Sequence, residues 1–249
     1  MKTSIFLVSL LSVALAGDIQ LSPEEREGAR NALFNPELFD GDMRGIVFDD
    51  DRNAIVGNHF RWPNAVVPYV IDHTLSQIDA QTPIKEAFEE YHTKTCVRFV
   101  ERTNEEDYVE LKWAPADKCD SQVGRIGGKQ QINLGGRCWF LGTVIHELGH
   151  ALGFYHEHNR SDRDDYLIVY KENVREGDEH NFNKIAPHQN ILYNNYDYDS
   201  IMHYGNVSMS KNSKQTMEAI NGHPLKEPFE KPGMTESDIE RVKKMYHCA

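Results

Sequence analysis

Basic stretches are scarce in this sequence. With 27 Lys and Arg against 39 Asp and Glu the chain carries a formal charge of -12, and no run of Lys or Arg relieves it. That excludes nucleic acid as a partner, because phosphates are met by a basic patch. Cysteine is sparse too: four in 249 residues, with no pair at the C-x-x-C spacing of a structural zinc site. Long apolar runs are missing. The only hydrophobic stretch, Ile5 to Leu15, is shorter than the roughly 20 residues that span a bilayer, and nothing comparable follows it. Internal repeats and low-complexity tracts are also absent, which leaves one globular domain, of one lobe or two, large enough to bury a core.

What is present begins with an address. Lys2, the apolar stretch and the small-x-small triplet Ala14-Leu15-Ala16 before Gly17 predict a signal peptide over residues 1–16, and so a secreted protein without a membrane anchor. In an oxidising compartment the even set Cys96, Cys119, Cys138 and Cys248 predicts two disulfides, in any of three connectivities. Residues 17–52 then read as an acidic appendage, with ten Asp or Glu against four Lys or Arg and one helical piece, Pro23 to Leu33. It ends in Asp49-Asp50-Asp51-Arg52. An exposed segment of that kind is where nicking occurs, and its basic residue suits a trypsin-like protease.

Residues 53–249 alternate strand and helix signals. Val66 to Ile71 is a β-branched run interrupted by Pro68, which predicts an edge strand or a strand start. Ile84, Ala87, Phe88 and Tyr91 recur at helical spacing and predict a helix over about residues 78 to 93. Short strands are expected at Val97 to Val100, at Tyr108 to Trp113 and, between paired glycines, at Gln130 to Leu134. The order is that of an α+β domain. The stretch from Glu172 to Pro232 is irregular, and a last helix is expected after a cap at Thr235.

The chemistry concentrates in HELGHALGFYHEH, residues 146–158. His146 and His150 are four apart, so a helix projects both imidazoles from one face, where they can share a zinc ion. Glu147, between them, can act as general base. A bare H-E-x-x-H arises by chance in about 5% of shuffled chains of this composition, but its extension through Gly153 to His156 drops that to on the order of one in ten thousand. Chance is excluded. His156, ten positions after His146, can join the pair only if the helix stops, and Gly153 can take the left-handed conformation that stops it. Three imidazoles leave a fourth position for water, the catalytic pattern, and zinc would bring that water's pKa to about 7. His158 falls outside the ligand spacing and reads as a surface or structural histidine. Ser200-Ile201-Met202-His203-Tyr204 completes the Met-turn pattern of a metzincin, with Tyr204 a donor for a developing oxyanion.

Together, GTVIHELGHALGFYHEHNRSDRDDY and YDSIMHYG resemble the signatures of the astacin family of zinc metalloendopeptidases, and the likeness spans Asn53 to Ala249. The resemblance implies a two-lobed metzincin domain. Its N-terminal lobe would hold a mostly parallel twisted sheet, with an antiparallel edge strand at Gln130 to Leu134, and two long helices; its irregular C-terminal lobe would end in a helix. It implies one zinc ion on His146, His150 and His156, Glu147 as base of a zinc-bound water, Met202 beneath the metal, and Tyr204 as the residue that stabilises the transition state. It also implies disulfides Cys96 with Cys248 and Cys119 with Cys138. Residues 39–42, FDGD, are similar to the family's propeptide motif, so Asp42, otherwise a turn residue, would sit on zinc in a latent form. Cleavage after Arg52 would activate the enzyme, and Glu157 would receive the new ammonium of Asn53. Substrate would add as an extended strand to the sheet. The implied protein is a small digestive or venom-type enzyme of arthropod kind, a monomer with no MAM, EGF-like or CUB module after Cys248. Of two sequons, Asn206-Val207-Ser208 is the candidate glycan acceptor, and Asn159-Arg160-Ser161 is not.

Overall fold

Ser22 and Glu25 exchange hydrogen bonds in a capping box, with Pro23 at the first helical position, and so start α1 (Pro23–Ala32). In this computed structural model the described residues are 21–45, 57–76 and 78–249. The expected signal peptide, the Arg52 cleavage point and Asn53 lie outside them. From α1 the chain crosses the front of the molecule to a two-residue strand, β1 (Met43–Arg44). Then follow β2 (Val66–Ile71), α2 (Ile78–Lys94), β3 (Arg98–Glu101), β4 (Tyr108–Lys112), β5 (Cys119–Gln122) and β6 (Lys129–Leu134).

The strands form one sheet in the order β1-β5-β6-β4-β2-β3, parallel throughout except where β5 meets β6. Ala80, Ile84, Ala87, Phe88 and Tyr91 make the buried face of α2. α3 (Leu141–Leu152) is buried from Gly142 to Leu152, and packs against α2, β5 and β6. Beyond it the chain is mostly single 3₁₀ turns, with one antiparallel pair, β7 (Leu167–Val169) and β8 (Met217–Ala219), until α4 (Glu236–Tyr246) closes the domain.

Two strand expectations need correcting. Gln130 to Leu134 is not the edge: β6 lies between parallel β4 and antiparallel β5, and the antiparallel strand of the outer sheet is β5. Its sequence, Cys-Asp-Ser-Gln, lacks the apolar alternation that signals a strand. Nor is β2 an edge, since it runs between β4 and β3. Proline is tolerated there because the two ladders are staggered. β3 pairs with Val66 to Tyr69 and β4 only with Tyr69 to Ile71, while the Tyr69 carbonyl accepts from Arg102 on the β3 side. By alternation the Pro68 nitrogen faces the β4 side before that ladder begins, and no acceptor is left waiting.

Disulfides join Cys96 to Cys248 and Cys119 to Cys138. The first closes a span of 152 residues and ties the end of the chain to the sheet lobe; chain entropy makes this worth about 5 kcal/mol.

Candidate metal centre

α3 presents His146 and His150 one turn apart and ends at Gly153, whose φ of 114° lets its N–H return to the carbonyls of Gly149 and His150. The chain reverses and delivers His156 to the same point. The three Nε2 atoms stand 3.0 to 3.1 Å from one another. Each ring is aimed from behind. His146 Nδ1 faces the Ile201 carbonyl at 2.8 Å, His150 Nδ1 faces the Phe154 carbonyl at 2.7 Å, and His156 Nδ1 meets the Asp40 carboxylate. A carbonyl can only accept, so in His146 and His150 the proton sits on Nδ1 and Nε2 offers its lone pair to the centre.

Asp42 supplies a fourth corner. Its oxygens lie 3.1 Å from His146 Nε2, 3.4 Å from His150 Nε2 and 3.1 Å from His156 Nε2. A tetrahedral zinc site with bonds of about 2.0 to 2.1 Å needs donors about 3.3 Å apart. The donor set fits that ion in element, number and spacing. The electrostatics agree. Burial opposes charge on Asp42, yet the histidines hold its carboxyl well below the usual range. Burial pushes His146 down to about 3, whereas Asp42 and Asp40 overcome burial at His156 and hold it up to about 10. The two aspartates call for positive charge at this point, and a bound cation would take the place of that proton.

Glu147 follows His146 on α3, fully buried, with neither carboxylate oxygen finding a hydrogen-bond partner among the described residues. Burial and then the neighbouring Asp42 and Asp120 push its carboxyl well above the ordinary value. A carboxylate that is driven to take a proton suits a general base. Met202 packs against α3 at Gly149, where a Cβ would stand 2.6 Å from the Met202 Sδ. Tyr204 packs against His156, with ring centroids 4.3 Å apart and the ring planes tilted by 41°, and donates its hydroxyl to the Asp42 carboxylate.

Residues 54–247 match the model of the peptidase family Astacin. This chain belongs to the astacin family. Astacin-like metalloprotease toxin 1 of Loxosceles intermedia is 42% identical over 221 residues, which cover 85% of this chain and 81% of that protein. Zinc metalloproteinase nas-13 of Caenorhabditis elegans is 37% identical over 238 residues, 88% of this chain but 52% of the relative, so the chain spans about half that protein's length. Among solved structures, high choriolytic enzyme 1, a hatching enzyme zinc-protease from Oryzias latipes, superposes with a TM-score of 0.68 at 36% identity, over 76% of this chain and 94% of that one. The chain is thus an astacin-like zinc metalloprotease.

This astacin also places residues at the centre that its sequence did not single out. Asp40 is wholly buried against His156 and His158, reached because the backbone turns through positive φ at Asp40 and Gly41. The Asp-Gly pair was the available signal, being a turn dipeptide. His158 is fully buried, stacked on His156 and Tyr204, so it is structural and not a surface residue. Glu157 does not stand alone. Arg241 holds both its oxygens at 2.5 and 2.7 Å, and Arg160 reaches one of them at 3.0 Å. Asn159 is buried and donates to the carbonyls of Asn181 and Asn183, leaving no room for a glycan, while Asn206 is partly exposed.

Proposed function

We propose that this chain is the latent form of a secreted endopeptidase, with residues 17–52 an inhibitory propeptide and 53–249 the catalytic domain. The observation that carries the reading is the Asp42 carboxylate, which completes the donor tetrahedron and at the same time accepts the Tyr204 hydroxyl. One side chain thereby occupies both the place of a reacting carbonyl and the group that would stabilise its oxyanion.

His146, His150 and His156 would hold one zinc ion per chain. Bound there, zinc supplies a Lewis acid for the peptide carbonyl and lowers the pKa of water to about 7. Glu147 takes the proton of the attacking water and passes it to the leaving amine. Tyr204, freed from Asp42, turns its hydroxyl to the developing oxyanion. Met202 keeps the floor of the site dry and close-packed.

Release of the propeptide by a trypsin-like protease acting after Arg52 would break several part-buried contacts. Arg30 pairs with Glu227 at 3.1 Å, Arg26 pairs with Glu230, and Lys118 donates to the carbonyls of Asn31 and Phe34 at the end of α1. The ammonium of Asn53 would then join Glu157 and its arginines, through the cavity bordered by Arg61, Tyr155, Glu157, Arg160 and Arg241. Among the described residues no helix is long and apolar enough to cross a membrane; secretion rests on residues 1–16. Asn206 is the site at which a glycan would be added.

The test is direct. Trypsin treatment of the zinc-loaded protein should yield Asn53 as the new N-terminus and activity on a denatured protein substrate that 1,10-phenanthroline abolishes. Retention of full activity by Glu147→Ala, or indifference to the chelator, would refute the mechanism.

A further inference from the structure

β1 is laid along β5 as an added strand, parallel to it, with Met43 opposite Ser121, Arg44 opposite Gln122, and the Ser121 N–H donating to the Asp42 carbonyl at 2.9 Å. The segment on the metal donors therefore also samples the side-chain pockets along the cleft edge. Two of them are built. Met43 is fully buried against Val123, with Phe60 and Tyr155 packed around it. Arg44, two residues beyond Asp42, reaches Asp120 in β5 through Nε at 2.8 Å and Nη2 at 2.7 Å.

Asp120 is unusual for a cleft-edge strand. Its side chain is 2% exposed, its Oδ1 also accepts the amide of Asn133 at 2.7 Å, and Arg44 is the one cation in ion-pair contact with it among the described residues. If residues 17–52 leave, this carboxylate loses its cation and keeps the Asn133 amide on its Oδ1. One neutral amide leaves the carboxylate's charge uncompensated, so it draws in the next guanidinium or ammonium offered. The edge of β5 is bared at the same moment, ready for another strand.

We propose that Asp120 is the specificity-determining residue of the cleft, selecting substrates with an arginine or lysine within about three residues of the scissile bond, beside a large apolar residue seated against Val123, Phe60 and Tyr155. This rests on the peptidase reading given above. In the activated enzyme Asp120 takes the substrate's basic side chain as it takes Arg44 in the latent one. At about 3.3 Å per residue, the two-residue step from Asp42 to Arg44 places that side chain about 6 to 7 Å along the strand from the reacting group. The peptidase thus prefers sequences that pair an apolar with a basic residue, and its own segment 42–44 mimics them.

The experiment maps cleavage sites in a peptide library digested by the activated, zinc-loaded enzyme, with Asp120→Asn and Asp120→Lys alongside. Arg and Lys should be enriched at one position near the cut. The ratio of kcat/KM for a peptide with Arg there over its Gln counterpart should fall about 10- to 100-fold in Asp120→Asn, the worth of a charge-assisted hydrogen bond. Asp120→Lys should shift the preference to Glu. A second arm guards against a misfolded variant: a synthetic peptide of residues 33–45 inhibits the unaltered enzyme, and an R44Q change in that peptide should raise its Ki about tenfold or more. Active enzyme with no basic preference, a preference that survives Asp120→Asn, or an R44Q peptide as potent as the parent each overturns the assignment. Absence of any cleavage by the zinc-loaded, trypsin-treated protein defeats the peptidase reading instead.

Discussion

Replacing Arg241 with methionine keeps most of the aliphatic volume and deletes the charge. Arg241 and Glu157 are 7% and 4% exposed at their side chains and joined by two hydrogen bonds of 2.5 and 2.7 Å. What remains for Glu157 in Arg241→Met is Arg160 at 3.0 Å and the Asp197 N–H at 2.9 Å. Breaking one side of a buried pair costs about 3 to 5 kcal/mol, and the surviving partners place this case near about 3. At about 2 to 4 °C per kcal/mol for a domain of this size, the melting temperature of the zinc-loaded, full-length protein should fall about 6 to 12 °C. Glu157→Gln in the same background removes the stranded charge and should recover about 2 kcal/mol, a coupling that only a direct interaction gives. The sign with pH is also fixed. Burial raises the Glu157 carboxyl even against the pull of Arg241 and Arg160, and losing Arg241 raises it further. As pH falls through that value a proton removes the uncompensated charge, so the deficit is larger at pH 8 than at pH 5. Thermal scans at both pH values on the two single variants and the double variant decide it. A shift under about 2 °C, or strictly additive variants, would mean that the pair contributes nothing beyond its packing.

Asp42→Ala should give the uncleaved protein at least about tenfold more activity on a short quenched-fluorescent peptide, equivalent to about 1.4 kcal/mol of barrier; unchanged latency would assign inhibition to steric cover by α1. In metal-free protein His146 holds its proton only below about 3, whereas an unfolded histidine binds one below about 6.5. Stability must therefore fall as pH drops between those values, by up to about 1.4 kcal/mol per unit, and His146→Asn should flatten that slope in urea titrations. Gly149→Ala puts a methyl 2.6 Å from the Met202 Sδ. Overpacking of this kind costs about 1 to 3 kcal/mol, and a competing chelator should strip zinc from the variant sooner, because Ile201 beside Met202 orients His146.

How much of this could be read from sequence depended on how local its cause was. The stretch from His146 to His156 is one helix, one stop and one return, and each step has its own residue, so spacing alone placed three imidazoles at a point. β2 and α2 were legible for the same reason, since period-2 and period-3.6 patterns are written within a single element. β5 was not, because it is fixed by pairing with β6 and by the Cys119 disulfide rather than by any pattern in Cys-Asp-Ser-Gln. Asp40 and Asp120 were missed because an isolated aspartate looks the same in a turn, on a surface or in a cleft. Only the crossing of the N-terminal segment over the sheet edge distinguishes them.

The least legible part is the support of the turn at residues 200–204, which comes from residues distant from it in the chain. The Lys231 ammonium, pushed down to about 8 by burial, donates to the carbonyls of Ser200 at 2.6 Å and His203 at 2.5 Å, bracketing the turn. The Asp238 carboxylate accepts from the Ser200 hydroxyl at 2.6 Å and the Ile201 N–H at 2.8 Å, while also completing the capping box of α4. Glu227 accepts from the Gly205 N–H at 2.9 Å and, from the other side, from Arg30 of the N-terminal segment. The Ile201 carbonyl so fixed is the one that orients His146. The start of α4 and the loop before it therefore set the aim of a histidine on α3. The Cys96 to Cys248 disulfide fastens the far end of α4 to the sheet lobe. A metal centre built this way shares its rigidity with the whole C-terminal lobe, because each donor ring leans on a carbonyl or carboxylate that another element holds in place.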